Sequence, residues 1–264
     1  MSHTIRHDPW TELRRHTPAR IALGSSGDSL PTDELLRFGV AHAQARDAVH
    51  LPMDADGLRL ELRKHGFDEV LELESAAPDR PTYLRRPDLG RQLSARSRQV
   101  LSETHVASCD VVCVVGDGLS ATAVHRNAVA LLVELRLASA GLVWGPVVLA
   151  HQARVALGDP IGEALNARSV LVLIGERPGL SSPDSLSAYF TWAPRSGMAD
   201  SQRNCVSNIR AQGLCVADAA DKLAWLMAAA RRLGASGVTL KDESGDASGR
   251  AEGVMAAAPR LLTD

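Results

Sequence analysis

Val170, Leu171, Val172, Leu173 and Ile174 form an unbroken aliphatic run, and this feature narrows the choice of fold more than any other. An alternating sequence would leave one sheet face in water. A continuous run of this length fits a strand covered on both faces, as in a parallel sheet between layers of helix. Gly175-Glu176-Arg177-Pro178-Gly179 then stops the strand with two glycines and a proline, leaving a carboxylate and a guanidinium at its carboxyl end. Ligands of open α/β sheets bind at that end, so this loop is the first place to look for a site.

Other stretches repeat the pattern. Val70 to Leu73 alternates like a short strand, Asp110 to Val115 and Pro146 to Ala150 read as buried strands, and Gly237 to Leu240 reads as a last one. Ser120 caps a helix with Val124, Ala128, Leu131 and Leu135 on one face. Asp159 to Ala167 forms a short helix, and Asp218 caps another from Ala219 to Leu233 that ends at Gly234. The alternation predicts an α/β fold: a Rossmann-like parallel sheet flanked by helices, joined by right-handed crossovers. A smaller, mostly helical N-terminal region precedes it, with one helix from Thr32 to before Pro52 and a second from Asp54 to His65. The expected division is residues 1–80 for that region, 81–242 for the sheet domain and 243–264 for a flexible tail without periodicity.

Between the strand at 170–174 and the helix after Asp218 lies a long stretch read as a loop. It holds Tyr189, Phe190 and Trp192, three of the nine aromatic residues, and that content argues against disorder. Beside Pro194 and Arg195, these aromatics have the composition of an interface centre; the alternative is that they fold back on the core.

The 264 residues are 45% hydrophobic, ample for a buried core, and the formal net charge of −2 gives no field that would gather nucleic acid or anionic lipid. No apolar run approaches the roughly 18 residues needed to cross a bilayer. Cys109, Cys113, Cys205 and Cys215 form no CxxC pair or metal spacing, and no leader precedes them, so a reducing cytoplasm is expected. Cys109 and Cys113 read as core thiols facing the same way. Gly116-Asp117-Gly118 could offer backbone amides to a phosphate, although Asp117 bonding the loop's own amides is the plainer reading. His125 and His151 have no nucleophile motif beside them, and Arg85, Arg86 and Arg91 fit an anion clamp or a solvated face equally. No catalytic residue and no metal ligand is assigned.

Four phrases carry a likeness to a known family: GERPGLSSPDSLSAY from Gly175, RNCVSNIR from Arg203, YLRRPDLGR from Tyr83 and DGLSATAV from Asp117. Through them the chain resembles the small subunit of ethanolamine ammonia-lyase, over roughly Asp8 to Asp242. The resemblance implies an adenosylcobalamin-dependent enzyme that converts ethanolamine to acetaldehyde and ammonia by a radical route. It also implies a hetero-oligomer in which a large subunit with a β/α barrel handles substrate and radicals. The family's cobalamin contacts match Val155 in HQARV, Glu176 in GERPG and Cys205 in RNCVSN. By the same resemblance Val155 is a packing surface, Glu176 an acceptor for a corrin amide or ribose hydroxyl, and Cys205 a contact made largely through its backbone. The D-x-H-x-x-G signature of base-off cobalamin proteins is missing, in keeping with a base-on cofactor. The implied location is the cytoplasm, with a bacterial microcompartment left open because the core begins within about ten residues of Met1, where relatives often carry a longer extension. A nucleotide-dependent oxidoreductase and a non-catalytic scaffold subunit remain as alternatives.

Overall fold

The structure, a computed structural model, describes residues 5–245. Its helices are α1 (Thr32–His50), α2 (Ala55–Lys64), α3 (Arg80–Arg85), α4 (Ala95–Glu103), α5 (Ala121–Ala138), α6 (Gly158–Ala164) and α7 (Val216–Leu233). Its strands are β1 (Val70–Glu74), β2 (Val111–Gly116), β3 (Trp144–His151), β4 (Ser169–Gly175), β5 (Leu186–Trp192) and β6 (Arg203–Ile209). They form one six-stranded sheet in the order β1-β3-β2-β4-β5-β6. Every residue of β2 and β4 is buried, as their unbroken apolar runs require.

The sheet is mixed, which corrects the expectation of an all-parallel one. β1, β3, β2 and β4 pair parallel, whereas β5 runs antiparallel to both β4 and β6. Both added strands lie in the stretch read as a loop. Leu186, Ala188 and Phe190 are buried against one helix layer, while Ser187, Tyr189 and Thr191 alternate to the other face. The polar half of that alternation resembles loop composition. Phe190 is a core side chain, and Trp192 packs partly buried against the same core.

Two layers of helix cover the sheet. α2, α5 and α7 pack on one face over Val111, Cys113, Val115, Leu171, Leu173 and Phe190. Leu131, Leu132 and Leu135 of α5 are fully buried there, each worth roughly 2 kcal/mol of transfer free energy. On the other face α4 and α6 cover Val112, Val114, Val148, Val170 and Val172. α6 lies directly on β4: a Cβ at Gly158 would come 2.3 Å from Val172 Cγ2, so only glycine permits the approach. Beyond α6 the helical cover ends, and over the middle of β5 and β6 this face is only partly covered: Ser187, Thr191 and Arg203 are buried, Tyr189 is half-buried, and Cys205 and Ser207 are exposed.

Further differences have local causes. Gly237 to Leu240, expected as a strand, contains a short 3-10 turn over Gly237–Thr239, because Gly237 is left-handed (φ 76°) and Asn204 binds both ends of the turn. Cys109 and Cys113 do not share a core: Cys113 faces the α5 and α7 layer, while Cys109, ahead of β2, belongs to the opposite one. The register of β2 against β3 slips between Val111 and Cys113. β1, from the N-terminal region, hydrogen-bonds into the sheet beside β3. Most of the expected tail, residues 246–264, lies outside the described residues.

Candidate functional site

Three loops leave the carboxyl ends of β2, β3 and β4. The first is Gly116-Asp117-Gly118, and the protein itself fills it. Asp117, almost fully buried, accepts hydrogen bonds from the backbone amides of Gln152 and Ala153, both at 3.1 Å, and faces Arg80 Nη1 at 3.4 Å. Burial pushes its carboxyl up, and Arg80 and the two amides pull it back. Gly118 is left-handed (φ 54°), and a Cβ there would lie 2.3 Å from the Gly175 carbonyl oxygen. Asp117 therefore bonds the amides of the neighbouring loop, and the glycines bring the chain close to β4. Tyr83 locks the same corner: its hydroxyl donates to the Ala153 carbonyl at 2.8 Å, and its ring lies between Arg80 and Arg154 at 4.9 and 4.3 Å.

Glu176 follows β4 directly and is half-buried. Its Oε2 accepts from Ser185 Oγ at 2.9 Å; its Oε1 accepts from Ser187 Oγ and from the Asn208 backbone amide at 3.2 Å. One carboxylate thus ties the end of β4 to the start of β5 and the end of β6. Of about four lone-pair positions three are taken, leaving one on Oε2 for an outside donor.

Cys205 is exposed on β6, opposite Tyr189 of β5. Burial, Cys205 and Glu176 push the Tyr189 hydroxyl up to about 12. The protein packed around the Cys205 thiol raises it too, against hydrogen bonds from Tyr189 and Ser187. Glu176, Ser187, Tyr189 and Cys205 form one polar cluster on the uncovered face.

Val155 opens a 3-10 turn, Val155–Leu157, that runs into α6. It is half-buried against the same core as Tyr189. Three residues on, Gly158 rests on Val172, the β4 partner of Tyr189. Glu176 and Cys205 thus share one cluster, and Val155 packs at the turn into α6 against the core beneath the same face of the sheet. Ser187 and the part Tyr189 plays in this cluster escaped the sequence reading, which grouped Tyr189 with the interface aromatics; Asn208 escaped it too. The alternation from Leu186 to Trp192 was the signal that could have revealed the first two.

The other candidates sit apart. His125 accepts from the Asp54 amide at 2.9 Å, and burial lowers its pKa. His151 pairs with Glu72 at 2.9 Å. Arg177, Arg85, Arg86 and Arg91 are exposed. No group of three or more His, Cys, Asp or Glu side chains is arranged to hold a metal among the described residues. Nor, among them, is any helix long and apolar enough to cross a membrane. Two clefts of about 620 and 640 Å³ are lined by other residues, among them Asp159 and Met198 in one and Trp192 and Arg231 in the other. The cluster is an open platform on which Glu176 and Tyr189 are half-buried and Cys205 is exposed.

Residues 7–241 match the family model described as ethanolamine ammonia-lyase light chain (EutC). The chain is 53% identical over 246 residues to the ethanolamine ammonia-lyase small subunit of Pseudomonas fluorescens, covering 91% of this chain and 89% of that one. It is 54% identical over 244 residues to the small subunit of Ralstonia nicotianae, covering 90% of each chain. A relative of the same description from Xanthomonas campestris pv. campestris is 54% identical over 246 residues, with 91% and 90% covered.

Proposed function

The chain belongs to the ethanolamine ammonia-lyase light-chain family, and from that premise we propose that the platform around Glu176, Cys205 and Val155 contacts the adenosylcobalamin of the assembled enzyme. The free acceptor position on Glu176 carries this proposal: a corrin ring bears a fringe of amide donors, and Glu176 offers them one lone pair in a rigid frame. Val155 supplies apolar contact beside it, and the exposed backbone at Cys205 supplies donors and acceptors at the strand edge. The residues fit a flat, amide-fringed ligand better than a compact charged one. Adenosylcobalamin, when bound, supplies the radical chemistry that removes ammonia from ethanolamine and leaves acetaldehyde.

This chain's part is to hold and orient. Glu176 accepts from a ligand amide while its other positions keep β4, β5 and β6 in register. Tyr189 remains protonated far above neutral pH and so contributes a neutral hydroxyl. The two hydroxyls paired with the Glu176 carboxylate, those of Ser185 and Ser187, are buried and out of a substrate's reach, so substrate handling falls to the large subunit that the small-subunit family name implies. The cofactor is base-on in this proposal, because the chain lacks the D-x-H-x-x-G signature that would offer a histidine to cobalt.

Reconstitution tests the proposal. The purified chain with adenosylcobalamin should not deaminate ethanolamine, and adding the large subunit should restore turnover. Visible-absorbance titration of the complex should show weaker cobalamin binding with Glu176→Ala. Turnover by the chain alone, or unchanged affinity in that variant, would overturn it.

A further inference from the structure

Arg203 and Asp159 form a buried ion pair on the platform's side of the sheet, beneath α6. Arg203 Nη1 donates to Asp159 Oδ1 at 2.5 Å and Nη2 donates to Oδ2 at 2.8 Å, with the side chains 2% and 1% exposed. The guanidinium also reaches the Met198 carbonyl at 2.9 Å, Thr191 Oγ1 at 3.3 Å and Asp200 Oδ1 at 3.4 Å. Removing two charges from water is costly, and a buried pair of this kind is weak as a source of net stability. What a bidentate fork does supply is a fixed distance and a fixed mutual orientation.

The positions of the pair in the chain show what is being oriented. Asp159 stands at the start of α6, four residues after Val155, and Arg203 is the first residue of β6, two before Cys205. With a period of two along a strand, Arg203 and Cys205 point to the same face. No backbone hydrogen bond of the sheet joins these segments directly, because β3, which precedes the Val155 turn, and β6 are separated by β2, β4 and β5. The pair spans that gap. Gly158 and Gly162 let α6 lie close enough for it to form, since a Cβ at either would meet Val172 or Pro194 within 2.7 Å.

We propose that Asp159 and Arg203 are positioning residues for the cofactor platform, setting the Val155 turn against the Cys205 strand. The proposal rests on the platform being the cobalamin-contacting surface, and it adds two residues that do not touch the ligand.

The test uses the complex reconstituted with the large subunit and reads adenosylcobalamin affinity beside thermal stability. Arg203→Lys keeps the charge but loses the fork, and Asp159→Asn keeps the shape but leaves Arg203 only the exposed Asp200 carboxylate as a charged partner. Leu226→Ala, a cavity variant in α7 on the opposite face, serves as a control of comparable or greater destabilisation. Affinity should fall about tenfold for Asp159→Asn and about threefold for Arg203→Lys, while the control keeps wild-type affinity despite its lower melting temperature. If Asp159→Asn does not fold, Arg203→Lys alone decides. Unchanged affinity in Arg203→Lys, or an equal loss in the control, would overturn the positioning role. Glu176→Ala separates the two claims: if it weakens binding and Arg203→Lys does not, only this proposal fails, whereas if Glu176→Ala has no effect the platform itself is misassigned.

Discussion

Glu176→Ala removes the acceptor of three hydrogen bonds at the junction of β4, β5 and β6. The donors differ in what they can do afterwards. Ser185 and Ser187 are 4% and 1% exposed, so their hydroxyls cannot turn to bulk water, while the Asn208 amide belongs to an exposed residue and can. A hydrogen bond contributes about 1 kcal/mol net, and more when its acceptor is charged, so two stranded hydroxyls and one rehydrated amide should cost roughly 2 to 4 kcal/mol. At about 2 to 4 °C per kcal/mol for a chain of this size, the melting temperature should drop by roughly 4 to 16 °C. Glu176→Gln keeps one acceptor oxygen, and a serine hydroxyl can rotate to accept from the new amide; its cost should be nearer 1 kcal/mol. Scanning calorimetry of the purified variants measures both. A Glu176→Ala variant melting within about 1 °C of wild type would show that the carboxylate does not tie the three strands. A Gln variant as damaged as Ala would show that charge, not acceptor geometry, is what matters.

Three further outcomes follow from the fold. Phe190→Ala should cost about 3 to 5 kcal/mol in urea unfolding, as expected of a fully buried aromatic, and a loss below 1 kcal/mol would return Phe190 to a surface role. Gly118→Ala should cost more than about 2 kcal/mol, combining left-handed backbone with a Cβ driven against Gly175; wild-type stability there would mean that the β2 and β4 loops do not touch. Burial lowers the His125 pKa below 6.5, and its neutral ring accepts from the Asp54 amide. A base with a depressed folded pKa gives stability that is complete above its unfolded value and lost as pH falls through the folded one. The melting temperature should therefore decline below about pH 6.5, and His125→Gln, which accepts without titrating, should flatten that decline; equal slopes would remove His125 as the cause.

Much of this protein was legible in the residues alone. The run from Val170 to Ile174 can be satisfied only by burial on both faces, so β4 and its helix-covered surroundings followed from composition and length. Ser120 holds the helix start it announces, because a short polar side chain before an apolar period has few other uses, whereas α7 starts at Val216 with Cys215 as its cap and takes the expected cap, Asp218, into its first turn. Glu176, Cys205 and Val155 could be put forward as candidates because the phrases that carry the resemblance are continuous in sequence. What the sequence left undecided were relations between distant segments. Leu186 to Trp192 carries a period of two, but a half-polar strand looks like a loop until a partner is present to take its hydrogen bonds, so β5, β6 and the mixed sheet required the fold. The pairing of Asp159 with Arg203 has no local sign either, since a carboxylate and a guanidinium 44 residues apart are ordinary surface charges until packing excludes water from between them. Short-range preferences act through the backbone and can be read in order along the chain; a platform assembled from three strands and a turn exists only once tertiary contacts have brought them together.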